Sequence, residues 1–155
     1  MIQETRHAIP EILARQPLFR GLDVAELAML ASGTREYRVR KQEILFQKGD
    51  LPEGLHVVIM GQVKLALPSA QGGEKVVHMA GPGATFGEAV VFLEKPYPVT
   101  AQATQESLVL LVSKTSLLSA LDSNPVFSRK MLASLSMRLH ELIDDMETCT
   151  LRTSM

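Results

Sequence analysis

The amino-acid sequence predicts a mainly β domain, a double-stranded β-helix or jelly-roll barrel, with flanking helices and a long helix at its C-terminal end. Between residues 34 and 113, short runs rich in Val, Ile and Leu alternate with turns that contain Gly or Pro. Many short strands at such spacing are typical of a sandwich or barrel. The segments before and after this region have the apolar spacing of helices, and the last one is long.

The composition excludes several classes of protein. With 155 residues, 46% of them hydrophobic, the chain fits one compact domain, and the basic residues are too dispersed for a DNA-binding surface. Cys149 is the only cysteine, which excludes an internal disulfide and a cysteine-rich metal centre. No stretch approaches the ~18 consecutive apolar residues of a membrane span. We therefore expect a cytoplasmic protein without a membrane anchor.

Two short helices are predicted before the strands. The segment AIPEILARQPLF has helical apolar spacing, and so does DVAELAMLA. Asp23 is the expected N-cap of the second helix, because Glu26 follows three residues later as in a capping box. This helix is expected to end near Gly33.

Seven strands are predicted in the central region. Two of them, LHVVIM and LVLLVS, are apolar on both faces, as expected of strands buried between two layers. The turns between strands are KGDLPEG, SAQGG, GPGA and EKPYP. The predicted strands are REYRVR, EILFQ, LHVVIMG, QVKLALP, EKVVHMA, VTAQAT and SLVLLVS.

Helical spacing returns in KTSLLSALDSN and then in a long segment that opens at Asn124-Pro125, which divides the chain into a sensor unit (1–123) and a terminal helix (124–155). Apolar residues in the long helix are spaced alternately by three and four, which predicts a parallel homodimer. The alternative is that the long helix packs on its own barrel. The two arrangements are compatible, because Met131 and Ile143 flank the row of spaced apolar residues, called the seam below, and can face the barrel while the seam faces a partner. The predicted dimer residues are Leu132, Leu135, Leu139, Leu142, Met146 and Cys149.

The motifs LFQKGD, GLHVVIMGQVKL, GPGATFGEA and TAQA, in this order, resemble the cyclic-nucleotide-binding sensor domain of the Crp/Fnr family of bacterial transcription regulators. The similarity covers about residues 18–150. It implies a cyclic-nucleotide-binding type of barrel and a helix-turn-helix domain after residue 155 that contacts promoter DNA. The chain is then expected to be part of a longer regulator. TFGEAVVFLEKP and LSMRLHELIDDMETCTL resemble the dissimilative nitrate respiration regulators, a branch regarded as haem-dependent nitric oxide sensors.

The resemblance places an effector pocket between the barrel and the long helix. Gly87, Glu88 and Ala89 match the backbone cradle for a cyclic phosphate and the glutamate that binds the ribose. Where nucleotide-binding members have an arginine and a serine, this chain has Tyr97 and Pro98. Where such members place hydroxyls against the base, it has Leu142 and Ile143. These changes favour a more apolar effector, because a charge-assisted contact and two hydroxyls are lost.

Three interpretations of the pocket stay open: haem as the effector, a cyclic nucleotide with atypical phosphate contacts, and a vestigial pocket in a ligand-free interaction or dimerisation module. No catalytic constellation has recognisable spacing, so an enzyme is not expected. Haem requires an axial ligand. The candidates are His78, His140, His56 and His7, followed by Cys149, Met60 and Met79.

Overall fold

The computed structural model describes residues 2–154 and the side chains of residues 8–147. It contains five α-helices within that range, and a single 3-10 turn, Pro17–Phe19, follows the first of them. Two of these helices precede the strands in the sequence, two follow them, and the third is inserted between strands. The helices are α1 (Ile2–Ala14), α2 (Val24–Ser32), α3 (Glu88–Leu93), α4 (Lys114–Ser123) and α5 (Pro125–Ser154).

Eight strands form two four-stranded sheets in the described part of the chain. The first sheet has the order β1-β8-β3-β6 and the second has the order β2-β7-β4-β5. All pairs are antiparallel, which confirms the predicted jelly-roll barrel. The strands are β1 (Thr34–Val39), β2 (Ile44–Phe46), β3 (Gly54–Met60), β4 (Val63–Pro68), β5 (Glu74–Ala80), β6 (Thr85–Phe86), β7 (Thr100–Ala103) and β8 (Ser107–Ser113).

The N-terminal helices differ from the prediction in one respect. The helical pattern of residues 8–19 is broken after Ala14, and a 3-10 turn begins at Pro17. Proline lacks a backbone N–H and disfavours the helical conformation of the residue before it, which explains the break. The capping box of α2 is confirmed, because Asp23 Oδ1 accepts from the N–H of Glu26 and Glu26 Oε1 accepts from the N–H of Asp23.

The first sheet separates two apolar cores. Leu55 and Val57 on β3 face the helices, together with Leu110 and Val112 of β8. Val58 faces the other way, into the space between the two sheets. The alternation follows from the two-residue period of a strand. Both central strands are therefore buried on both faces, as their sequences predict.

Among the described side chains of the long helix α5, those that pack on its own domain lie in the first half of the helix. The side chain of Asn124 accepts from the N–H groups of Val126 and Phe127, which starts the helix. Phe127 and Met131 are buried in the core beneath the helices. Beyond Arg138, every described residue up to position 147 is exposed. Over the residues described, none of the helices is both long and apolar enough to cross a bilayer.

Candidate functional site

The short helix α3 begins after Gly87, whose backbone conformation favours glycine over other residues. Gly87 is the N-cap residue and has φ of 93°, in the left-handed region that side chains disfavour. The N–H groups of the first helical turn have no partner within their own helix and point outward. Glu88 is half-buried and Ala89 is exposed at this turn. The three residues of the predicted cradle, Gly87, Glu88 and Ala89, thus lie together at the start of α3.

Glu88 connects this cradle to the long helix. Its Oε1 atom accepts from Nη1 of Arg138 on α5 at 2.8 Å. The glutamate side chain is 16% exposed, so the pair is partly shielded from water and its attraction is stronger than on an open surface. Oε2 of Glu88 is buried and has no hydrogen-bond partner in the described part of the chain. One acceptor thus remains unused beside the ion pair.

Tyr97 lies inside the barrel. Its side chain is 4% exposed, and its ring is stacked on Phe46 with the ring centres 3.5 Å apart and the planes 8° from parallel. The hydroxyl donates to the carbonyl of Gly54 at 3.2 Å. The backbone of Tyr97 is held as well, because its N–H donates to Asp50 and its carbonyl accepts from Gly49.

The ring of Tyr97 lies beside the start of α3. Its carbon Cε1 is 3.7 Å from the place where a Cβ atom on Gly87 would be. Burial raises the pKa of the phenol from 10.0 to about 12, which further favours its neutral form. The ring therefore offers no positive charge to a phosphate at this place.

Pro98, the second changed position, is exposed at the end of this loop. Its missing N–H removes a donor that a serine at the same position would keep. Leu142 and Ile143 are also exposed, by 60% and 54%, on the part of α5 that extends past the barrel. The described structure therefore does not bring these two residues into contact with Tyr97 or the cradle within a single closed pocket.

The residues of the predicted dimer seam on α5 differ in their burial. Leu135 is half-buried and packs against the core of its own domain, so it serves that core as well as the predicted seam. Leu132, Leu139, Leu142 and Met146 are exposed. On an α-helix these four side chains lie within one apolar stripe, next to the face that carries Met131 and Arg138. Cys149 lies outside the described side chains.

The histidines occupy unrelated places. His56 is buried in the barrel, His78 is exposed on the edge strand β5, and His140 is exposed on α5 with Nε2 at 3.5 Å from Asp144 Oδ2. The methionines Met60 and Met79 are exposed. Within the side chains described, no three His, Cys, Asp or Glu residues form a group suited to a metal ion. His7 lies outside the described side chains.

Arg138, the partner of Glu88, is a residue that the sequence did not single out for the site. It lies seven residues after Met131 and three after Leu135, on the face of α5 that packs against its own domain. A lone basic residue continuing an apolar face is a signal for a buried acidic partner. The sequence alone does not say that this partner is Glu88, fifty positions earlier.

Comparisons with known proteins agree with this geometry. Residues 36–124 match the family described as "Cyclic nucleotide-binding domain". A CRP-like cAMP-activated global transcriptional regulator of Mycobacterium tuberculosis is 30% identical over 131 residues, which cover 83% of this chain and 58% of that protein. The chain thus spans 58% of the length of this curated relative.

Two solved structures have a similar fold. The sensor domain of the transcriptional regulator DNR from Pseudomonas aeruginosa has a TM-score of 0.76 and 30% identity, with 91% of this chain and 95% of that chain covered. The N-terminal domain of a transcriptional regulator from Streptomyces coelicolor has a TM-score of 0.76 and 31% identity, with 87% and 94% covered. Because the family match includes more than half of the residues, the chain belongs to the cyclic nucleotide-binding domain family.

Proposed function

We propose that the chain is the effector-sensing and dimerisation domain of a cytoplasmic Crp/Fnr-type transcription regulator. In this proposal two copies associate through α5, and promoter DNA is bound by a helix-turn-helix domain outside this chain. The similarity to CRP-like regulators and to the DNR sensor domain supports this assignment. Division into a sensor unit (1–123) and a terminal helix (124–155) is part of the same proposal.

The ion pair between Glu88 and Arg138 is the observation that carries the proposal. It joins the cradle of α3 to α5, and just beyond it the apolar stripe of α5 is exposed. An effector that binds beside Glu88 changes the partners of Arg138. It thereby changes the free-energy difference between two positions of α5 relative to the barrel. Regulation needs such a differential interaction with two arrangements of the helix.

We infer further that the effector is not a cyclic nucleotide. The support is Tyr97, which is neutral, buried and stacked on Phe46 at the position of the family's arginine. The tyrosine offers no charge-assisted contact to a phosphate, and this lowers the affinity for a nucleotide and favours an apolar effector.

Haem, with nitric oxide as its gaseous ligand, is the apolar effector that the resemblance implies. The described residues fit it poorly. The ring of His56 is stacked on Phe86 with centres 5.0 Å apart and lies 5.4 Å from that of Phe46, which leaves little room beside its nitrogen for an iron atom. His140 faces Asp144 on the solvent side of α5. The visible absorption spectrum of haem-reconstituted protein tests whether haem binds.

A cyclic nucleotide is the second candidate, favoured by the preserved cradle at Gly87 and Glu88. The candidates are separated by the visible absorption spectrum of haem-reconstituted protein and by calorimetry with cyclic nucleotides. A stoichiometric haem spectrum without nucleotide heat supports the haem form of the proposal. If the spectrum shows no bound haem, calorimetry shows no nucleotide binding and the protein is a dimer, the ligand-free dimerisation module is supported.

Dimerisation is tested by cysteine cross-linking in a protein whose native Cys149 is replaced by serine. In a parallel dimer, residues of the seam face their own counterparts within disulfide distance. The variant Leu139→Cys should form a covalent dimer on mild oxidation. Met137→Cys is the matched control, because Met137 is as exposed as Leu139 but lies on another side of α5. Equal cross-linking at both positions, or none at Leu139, would contradict the arrangement.

The regulatory role is tested on the full-length regulator. Leu139→Asn should weaken its binding to promoter DNA, since a dimer contacts two half-sites and a monomer one. Met137→Asn should leave DNA affinity unchanged. If both variants bind DNA like the parent protein, then α5 is not the element that positions the DNA-binding domains.

A further inference from the structure

The helix α5 is joined to its own domain by two ion pairs in the described part of the chain. Nζ of Lys130 donates to Oε1 of Glu26 on α2 at 2.6 Å, and Nη1 of Arg138 donates to Oε1 of Glu88 on α3 at 2.8 Å. Lys130 and Arg138 are separated by about 12 Å along the helix. The two contacts therefore hold different parts of α5, and they hold them to different helices.

The contact at Lys130 lies at the edge of the buried core. The side chain of Glu26 is 7% exposed, and its Oε1 atom also accepts from the N–H of Asp23 in the capping box of α2. Phe127 and Met131, before and after Lys130 on α5, are fully buried. Moving this part of α5 away from α2 would expose both apolar side chains and leave a buried carboxylate without its cation, which is strongly unfavourable.

The contact at Arg138 is more open. The side chain of Arg138 is 38% exposed, compared with 29% for Lys130. Between positions 136 and 147, Arg138 is the only described side chain of α5 that is not exposed. The apolar packing of the described part of α5 on its own domain thus ends at Leu135, and Arg138 alone continues the contact toward α3.

We infer that α5 turns about a pivot formed by Lys130 and Glu26, and that the pair of Glu88 and Arg138 is the contact whose loss releases the outer part of the helix. This inference rests on the function proposed above: an effector that takes Glu88 from Arg138 frees the outer part, while the inner part stays with α2. A tilt of about 10° at Lys130 moves position 147 by about 4 Å, since these positions are about 25 Å apart. Lys130 is then a positioning residue, which acts on the seam only through the direction of α5.

The pivot is tested by distances between two spin labels in the 155-residue chain, without effector or DNA. The native Cys149 is replaced by serine. One label is attached to Gln105→Cys, which is exposed between β7 and β8, and the other to either Arg129→Cys or Glu147→Cys on α5. Positions 129 and 147 lie on the same side of the helix, because they are separated by whole turns. Dilution with unlabelled protein removes distances between copies, so the result does not depend on the dimer.

Arg138→Met should change the distance to position 147, or widen its distribution, by about 4 Å and should leave the distance to position 129 unchanged. Arg129→Met, measured at position 147, is the control and should change nothing, because Arg129 is exposed. An unchanged distance at position 147 in Arg138→Met, or an equal change at both positions, would overturn the pivot.

A second pair of variants tests Lys130 itself. Lys130→Met should widen the distance distributions at both positions, while Lys130→Arg should keep them narrow because it retains a charged donor for Glu26. Distributions in Lys130→Met as narrow as those of the parent protein would contradict the role of Lys130. The cross-linking at position 139 tests the dimer separately, so a failure of the pivot is distinguished from a failure of the proposed function.

Discussion

The buried imidazole of His56 should make the stability of the domain depend on pH. Burial lowers its pKa from 6.5 to about 4, because a charged ring would lose its hydration inside the barrel. The unfolded chain therefore takes up a proton at a higher pH than the folded chain. The free energy of unfolding is fully maintained above pH 6.5 and falls as the pH is lowered toward 4.

The size of this effect follows from the two pKa values. The whole difference between 6.5 and about 4 corresponds to roughly 3 kcal/mol, and the part already lost at pH 5 is about 2 kcal/mol. Urea unfolding followed by circular dichroism, at pH 7.5 and at pH 5 and at one protein concentration, measures it. Carboxylates also titrate in this range, so the informative quantity is the difference between the parent protein and His56→Phe.

The variant should lose about 2 kcal/mol less than the parent protein between the two pH values, because phenylalanine takes up no proton. His78→Phe is the control, since His78 is exposed on β5 and should leave the pH dependence unchanged. An identical pH dependence in His56→Phe and the parent protein would refute the reasoning. It would mean that the ring is hydrated or paired when the protein is folded.

Three further changes test the contacts of the site and the fold by urea unfolding at pH 7.5. Tyr97→Phe keeps the ring stack but removes the hydrogen bond to Gly54, and should cost about 1 kcal/mol; no change would mean that the hydroxyl is not held there. A double-mutant cycle of Glu88→Gln and Arg138→Met should give a coupling of about 1 kcal/mol, while additive effects would exclude the ion pair. Asp23→Ala should cost about 1 kcal/mol through loss of the capping box, and an unchanged stability would show that α2 does not need it.

Much of the fold could be predicted from local patterns. The capping box at Asp23 and the start of α5 at Asn124 depend on neighbouring residues, and both are confirmed. The two-residue strand β6 was not predicted, because a pattern of alternation cannot be recognised over Thr85–Phe86. Pairing with His56 and Val57 on β3 defines this strand, and such a contact is invisible in the local sequence.

The site was predictable in its residue types and only partly in its geometry. The order of motifs singled out Gly87, Glu88 and Tyr97, and the ring of Tyr97 lies 3.7 Å from the place of a Cβ atom on Gly87. The partner of Glu88 and the stacking of Tyr97 on Phe46 depend on tertiary packing between residues far apart in sequence. The burial of His56 agrees with its strand LHVVIM, whose sequence is apolar on both faces, whereas the exposure of His78 depends on the place of β5 at the edge of its sheet.

The central proposal is that a nucleotide-binding scaffold has exchanged its phosphate contact for a buried tyrosine and responds to another effector. Isothermal titration calorimetry of the protein with cyclic AMP and cyclic GMP tests this most directly. We predict no saturable heat with either nucleotide, because the buried Tyr97 supplies no charge to the phosphate. Saturable binding with a dissociation constant in the micromolar range, about −8 kcal/mol, would contradict the proposal.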